Sequence, residues 1–425
     1  MRLAIFTNQF PNRVSTFFAR DVRGLIDHGF DVDIFPLRPL DEALWQYVPS
    51  DLSDAVLSRA RIHHLGSSTG DANSNGRGAS GLPVEMAVGA SASALKYGWA
   101  TTAKTLYAIR GALEWARRFP DGFDHVWSYW GNYAATAAAL FHRMTSPGGP
   151  FSMTLHAGTD LYRTPVFMKQ KLQYADNVFV VCEFNRTYLE RHFRDVWPAI
   201  SGKVELHHLG LDLTEYSYSE AGRTPDRVLC VGSLERVKGF SDAVQAVAAV
   251  ALTDHAVHLD IIGDGPESSA LRRMASELGV ADRVNFRGWL KPGEVRDAMR
   301  SATILVHPST GLGDAVPTVI KEAMALGTPV IGTQVVGIPE LLADGACGVL
   351  VPPRDSRALG DAIRSLLADP DKRLRFARAA RARAEGMLDV KVTSAQLAAR
   401  LTESRRRPRS SREGSVSSSV STAKD

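Results

Sequence analysis

The sequence predicts an α/β protein built from two doubly wound parallel-sheet domains that face a cleft. Three observations predict it. The chain has 425 residues, more than one hydrophobic core usually serves, so two domains are expected. Short apolar runs alternate with stretches such as ESSALRRMASELG and SRALGDAIRSLLAD, whose apolar residues recur every three or four positions. That alternation implies a parallel sheet covered by helices on both faces. Between two such sets lies LDLTEYSYSEAGRTPDR (211–227), which has no clear period. The expected organisation is a first domain over 1–211, a linker over 212–226 and a second domain over 227–386. A helix over 387–403 crosses back to the first domain, and a disordered tail occupies 404–425.

In the first half the expected strands are LAIFTNQ (3–9), DVDIFPL (31–37), DHVWSYW (124–130), FSMTLHA (151–157) and NVFVVCE (177–183), with VELHHLG (204–210) closing the sheet. The opening MRLAIFTNQFP has too short an apolar core for a secretory signal and reads as a buried strand. GSSTGDANSNGRGASG, between residues 66 and 90, is polar and glycine-rich, and is expected to be a mobile surface loop. The second half reads VLCVGSL (228–234), VHLDIIGDG (257–265), VNFRGWL (284–290), TILVHPS (303–309), TPVIGTQ (328–334) and GVLVPP (348–353). The tail SRRRPRSSREGSVSSSVSTAKD has few apolar residues with which to order itself.

Composition narrows the class. A hydrophobic content of 44% and a charged content of 23% are those of an ordinary soluble protein, and no run approaches the ~18 apolar residues of a membrane span. A net charge of +4, without a stripe of Lys and Arg interleaved with aromatics, argues against nucleic acid. Cys182, Cys230 and Cys347 are far apart and lack metal-ligand spacing, so three reduced thiols in a cytoplasmic protein and no bound metal are expected. Residues 95–119 carry an apolar stripe (Leu95, Trp99, Leu106, Ile109, Leu113, Ala116) beside five basic side chains. Such a helix either packs on its sheet or touches a membrane peripherally.

The stretch GDAVPTVIKEAMALGTPV (313–330) carries the chemistry. Pro317 suits the first helical position, where its missing N–H is not needed, and Gly327 suits a left-handed cap. The backbone around Ala315, Val316, Thr318 and Val319 then turns free N–H groups and the positive end of the helix dipole toward the cleft, an anion site suited to a diphosphate. Asp314 and Glu322 are separated by roughly 10–12 Å, comparable to the span between a sugar and a ribose on either side of a diphosphate. Both carboxylates can accept from ring hydroxyls. A turn aspartate and a surface-paired glutamate would give the same spacing. Gly263 and Gly265 form a G-x-G turn after an apolar strand, which a tight strand–helix connection also requires.

HPS-x-x-x-GDAVPTVIKEAMALGTPVIGT resembles the signature of the family 4 glycosyltransferases. VGSLERVKGF, IIGDGPE, VNFRGWL and GVLVPPRD fall where that family has similar segments. SMTLHAGTDLY resembles its histidine segment, and PNRVSTFFARDVRGLIDHGFDVDIF resembles the opening of its exopolysaccharide-building members. The resemblance implies a retaining, nucleotide-sugar-dependent enzyme of two Rossmann-like domains, the GT-B fold. It implies that Glu322 grips the ribose and that Asp314, where relatives have glutamate, holds the donor sugar. It further implies that Lys238 neutralises the diphosphate, with Ser233 at the usual arginine position and Arg236 close by. Gly263 and Gly265 would close the cleft floor, and Arg287 to Leu290 would meet the base. His156 would meet the donor sugar, with Asp160 orienting its loop. Ser15 and Thr16 would lie near the phosphate, or cap the helix that follows.

The implied catalytic set is therefore His156, Lys238, Asp314 and Glu322, with no cofactor and no metal. Front-face transfer is expected, the leaving diphosphate helping to deprotonate the acceptor. The expected partners are a nucleotide-sugar donor and a glycan or lipid-linked acceptor, in polysaccharide or glycoconjugate synthesis. The expected location is the cytoplasm, with peripheral contact at the inner face of the membrane. A sugar-nucleotide epimerase and a non-catalytic sugar-nucleotide-binding protein are the alternatives on the same fold.

Overall fold

Thirteen strands form two parallel sheets in the computed structural model, which describes residues 1–12, 16–66, 83–253 and 256–406. Ser15, most of the polar stretch after residue 66 and the tail beyond residue 406 lie outside the described residues. The first sheet contains β1 (Arg2–Thr7), β2 (Asp31–Pro36), β3 (Arg61–Ile62), β4 (His125–Ser128), β5 (Phe151–Leu155), β6 (Asn177–Val180) and β7 (Val204–Leu206). Their order is β3-β2-β1-β4-β5-β6-β7. The second contains β8 (Arg227–Val231), β9 (His258–Ile262), β10 (Val284–Gly288), β11 (Ile304–His307), β12 (Val330–Thr333) and β13 (Val349–Val351), in the order β10-β9-β8-β11-β12-β13. Every run read as a strand overlaps one, with β1 and β8 each starting one residue earlier than read. The two-residue edge strand β3 has too little pattern to be read.

Alternation along each strand divides the core into two layers. Ala4 and Phe6 of β1 face Trp115 and Phe141, on the helices Trp99–Arg118 and Tyr133–Thr145. Leu3 and Ile5 face the other way, with Val22 and Leu25 of the helix Thr16–Asp27 and Leu397 and Leu401 of the helix Val390–Arg406. The second sheet repeats the plan. Val228 and Cys230 face Val244 and Val247, whereas Leu229 and Val231 face Ile320 and Met324.

Three boundaries differ from expectation. Pro317 precedes the helix Thr318–Leu326 as its cap, with ψ at 121°, instead of opening it; Gly327 closes it at φ 78° as expected. Met387 completes the helix Pro370–Met387, and the last helix starts only at Val390. Between them Leu388 accepts from Leu211 N at 2.7 Å and Leu211 accepts from Val390 N at 2.8 Å. This pairing pulls the chain out of helical geometry. The final helix then continues to Arg406, beyond the expected start of the tail, and Asn177 Nδ2 donates to Ser404 Oγ there. It lies so close to the first domain that a Cβ on Gly24 would come within 2.4 Å of Ser394 Cβ.

The chain turns from β8 to β9 in one direction and to β11 in the other, so the order reverses beside β8. Ligands of doubly wound sheets bind beyond the strand ends at such a point. There the backbone crosses itself tightly. Gly263 sits at φ +135°, and a Cβ on it would lie 1.9 Å from the Gly232 carbonyl oxygen; one on Gly265 would lie 2.7 Å from Leu234 N. Both glycines are thus required by strand-end packing.

Candidate active site

β11 ends at His307, and the loop after it delivers Asp314 just ahead of the helix Thr318–Leu326. Asp314 Oδ2 accepts from Lys238 Nζ at 2.6 Å and lies 2.7 Å from His307 Nε2 and 3.3 Å from Ser309 Oγ. Burial opposes the charge on Asp314, but the His307 and Lys238 contacts outweigh it and hold the carboxyl below its usual range. Lys238 reaches this point because Arg236–Lys238 form a single 3-10 turn ended by Gly239 at φ 69°. The N–H groups of Thr318 and Val319 lie in the first turn, where no preceding turn accepts from them.

Glu322 projects from the same helix at a second cluster. Tyr216 Oη donates to Glu322 Oε1 at 3.0 Å, and Arg20 Nη2 donates to Tyr216 Oη at 3.2 Å. Arg20 also lies 3.7 Å from Glu215, which Arg296 contacts at 3.3 Å. Burial raises the pKa of Glu322, while Arg20 and Tyr216 pull it back. Among the described residues, Arg20 Nε and Nη1 are buried without a hydrogen-bond partner. Around this cluster lies a cavity of about 180 Å³ lined by Thr16, Arg20, Tyr216, Trp289, Leu290 and Glu322, among others. The rings of Tyr47 and Trp289, edge to face at 5.5 Å, join the two domains along its wall. A larger cavity of about 340 Å³, between β7 and the last helix, is lined by none of the expected site residues.

His156 forms a third group, just past β5. Its Nε2 donates to the Tyr129 carbonyl at 2.9 Å, and its ring lies 4.3 Å from that of Trp130 and 5.6 Å from that of Phe17. Burial lowers its pKa to about 4, so the ring is neutral at pH 7. Asp160 Oδ2 accepts from His156 N and Asp160 Oδ1 from Asn132 N, each at 2.9 Å, tying the loop after β5 to the start of the helix Tyr133–Thr145. The residues Thr159–Arg163 form a π-turn, a rare form that is frequent at functional sites.

Not every expected residue joins these groups. Leu290 lines the cavity, but Arg287 is exposed and does not. Arg236 and Ser233 are exposed, and Arg236 makes no ion pair among the described residues. Gly263 and Gly265 serve the backbone crossing. Ala315 is buried, its carbonyl accepting from Gly337 N at 2.9 Å, and Val316 packs beside it against the first domain. Thr16 lines the cavity, whereas Ser15 cannot be described.

Four residues at the site were not singled out from sequence. Arg20 was read as an ordinary member of the helix Thr16–Asp27; it lies on the side opposite Phe18 and Val22, so the apolar periodicity gave no signal for it. His307 stood in a quoted motif without a role. Tyr216 fell in the aperiodic linker. Lys321 is buried and donates to the Leu209 carbonyl at 2.6 Å, tying the helix to the first domain, and burial lowers its pKa to about 7. Among the described residues, no group of three His, Cys, Asp or Glu side chains could hold a metal ion. No described helix is long and apolar enough to cross a membrane.

The family described as Glycosyl transferases group 1 matches residues 217–383. The chain is 26% identical over 413 residues to the amylovoran biosynthesis glycosyltransferase AmsK of Erwinia amylovora, covering 94% of this chain and 98% of that protein. The structure of Anabaena Alr3699/HepE in complex with UDP is similar at a TM-score of 0.67 and 17% identity, over 95% of this chain and 99% of that one. Sucrose-phosphate synthase from Thermosynechococcus elongatus is similar at a TM-score of 0.68 and 20% identity, over 95% and 98% respectively. At such identities the two structures speak for the fold.

Proposed function

Because residues 217–383 match the family described as Glycosyl transferases group 1, we propose that this GT-B protein is a retaining, family 4-type glycosyltransferase. It moves a sugar from a nucleoside diphosphate sugar to a hydroxyl of a glycan or lipid-linked acceptor in exopolysaccharide synthesis. The observation that carries the reading is the row of groups along one helix. Lys238, Asp314 and His307 stand before its first turn, open N–H groups lie in that turn, and Glu322 faces a cavity beyond it.

In this reading Glu322 accepts from the ribose hydroxyls through Oε2, because Oε1 is engaged by Tyr216. Asp314 is similarly occupied at Oδ2 and offers Oδ1 to the donor sugar. Lys238 and the helix N-terminus meet the diphosphate. Their attraction grows as the glycosidic bond breaks and charge moves onto the leaving oxygen, so they favour the transition state over the bound donor. That oxygen takes the acceptor's proton on the same face of the sugar, which preserves the anomeric configuration. His156, neutral and held by Tyr129, hydrogen-bonds the sugar without adding charge. Three free, buried thiols support a reducing compartment, the cytoplasm, and a lipid-linked acceptor would bring the enzyme to the membrane surface. The reaction needs no metal or other cofactor in this scheme.

The test is a donor screen. UDP in the Anabaena structure makes UDP-sugars the first choice, followed by GDP- and ADP-sugars. Nucleoside diphosphate release with glycan acceptors is measured, and the product's anomeric configuration is read by NMR. An α-linked product from an α-linked donor is expected. An inverted product refutes retention, an epimerised nucleotide sugar favours the epimerase, and binding without turnover of any donor favours a non-catalytic role.

A further inference from the structure

The first domain carries a surface that the donor site does not use. On the helix Val84–Leu95, Val84, Val88 and Leu95 share one face and are 61%, 60% and 61% exposed. Gly98, at φ 90°, turns the chain into the helix Trp99–Arg118. The turn presents Tyr97 at 39% and Trp99 at 77% exposure, and Leu106 follows at 48%. The two helices pack on each other, so these side chains belong to one hairpin. Single exposed apolar residues are ordinary, but a row of this kind marks an interaction surface.

The stripe expected over 95–119 is therefore split. Ile109 and Ala116 turn inward beside Trp115, and Leu113 is partly buried against the same core. Leu95, Trp99 and Leu106 remain in solvent. The helix both packs on its domain and leaves an apolar edge uncovered. Between residues 84 and 110, Lys96, Lys104 and Arg110 are exposed and make no ion pair among the described residues, while Glu85 is the one acid. The edge thus has an excess of positive charge.

We propose that this hairpin rests on an anionic lipid bilayer, with Tyr97 and Trp99 at the headgroups and the basic side chains over the lipid phosphates. Tryptophan and tyrosine favour the boundary between hydrocarbon and water, and basic residues beside an apolar edge match an anionic surface. A second copy docked on the same face about a twofold axis would oppose one basic set with another. The proposal extends the lipid-linked acceptor reading, and its test uses neither donor nor acceptor, so the two can fail separately.

The test is flotation of the full chain with vesicles of pure phosphatidylcholine or of phosphatidylcholine mixed with phosphatidylglycerol. Binding to the mixed vesicles is expected at low salt, weakening as salt rises. Lys96→Gln/Lys104→Gln/Arg110→Gln should lower partitioning by about a hundredfold, since each basic residue near an anionic surface contributes about fivefold. Leu95→Ser/Trp99→Ser/Leu106→Ser should abolish it while melting like the parent, because all three side chains are already exposed. Absence of flotation at low salt overturns the proposal, as does flotation that neither variant changes. Flotation lost only on deleting residues 407–425 assigns it to the tail and overturns the hairpin. A dimer that the apolar variant converts to monomer, without vesicle binding, overturns it in favour of self-association.

Discussion

Tyr216 bridges the two domains at a single oxygen: its hydroxyl accepts from Arg20 at 3.2 Å and donates to Glu322 at 3.0 Å. The carboxylate expected to grip the donor's ribose is thereby held in place from the first domain.

Tyr216→Phe should separate positioning from folding. The ring stays to fill its buried site, but Glu322 loses a donor and Arg20 an acceptor. The loss of one hydrogen bond to a charged group costs about 1.5–3 kcal/mol, so the donor KM should rise about tenfold or more with kcat less affected. An unchanged KM would remove Tyr216 from the donor site.

Arg20→Gln should be more severe. It leaves Glu215 and Glu322 without the buried guanidinium beside them, and breaking a buried ion pair from one side costs about 3–5 kcal/mol. A lowered melting temperature and weakened donor binding are expected together. A variant that melts like the parent would show that Arg20 is not a needed counter-charge.

Glu322→Gln and Lys238→Met should divide along kinetic lines. Glu322→Gln weakens ground-state binding and raises the donor KM. Lys238→Met removes a charge that acts most strongly on the departing diphosphate, so kcat should fall further than affinity. It also leaves Asp314 with His307 and Ser309 as its remaining contacts. Equal effects of both variants on KM and kcat would contradict these roles.

Gly239→Ala and Gly279→Ala form a controlled pair. Their φ values are +69° and +70°, so the backbone strain of alanine is alike, about 1–2 kcal/mol. A Cβ on Gly239 would lie 1.9 Å from the Pro308 carbonyl oxygen, whereas nothing lies within 4 Å of one on Gly279. Thermal melts should show a modest loss for Gly279→Ala and a much larger one for Gly239→Ala, which also disturbs the turn bearing Lys238. Equal losses would mean that the Pro308 loop yields freely.

Acid should remove the contribution of the first domain's buried histidines, while Asp160, raised to about 7 by burial, acts in the opposite sense. Burial lowers His125 to about 3 and His156 to about 4, whereas a histidine in the unfolded chain titrates near ~6.5. Between those values the unfolded histidine binds the proton and the folded one does not, so each histidine contributes stability that is lost as pH falls below ~6.5. Each pH unit within that window costs about 1.4 kcal/mol per histidine. His125→Gln, measured against the parent from neutral pH down, should show a flatter decline in melting temperature. An equally steep decline would locate the acid sensitivity elsewhere.

Much of the fold was legible because its signal is local. A run such as VLCVGSL declares its burial within seven residues, and all of β8 but Arg227 lies inside it. Pro317 and Gly327 bracket a helix whose ends follow from backbone geometry alone; Gly327 caps it as expected, and only Pro317 misled, by one position. The boundary near residue 387 was less legible, because the chain leaves helical geometry through a pairing with Leu211, far away in sequence.

The sequence by itself determined two sheets, the helix that carries Glu322 and, through its resemblance, which acids and which lysine to watch. It could not determine what those groups touch. Lys238 and Asp314 are 76 residues apart, Tyr216 and Glu322 are 106, and Arg20 and Tyr216 are 196. Periodicity records whether a side chain is buried, whereas its partner depends on how the whole chain is threaded. Only the tertiary structure brings a guanidinium from the first domain's first helix to the second domain's glutamate. Low-dielectric burial then makes that meeting matter, because a charge removed from water there must find its counterpart within the protein.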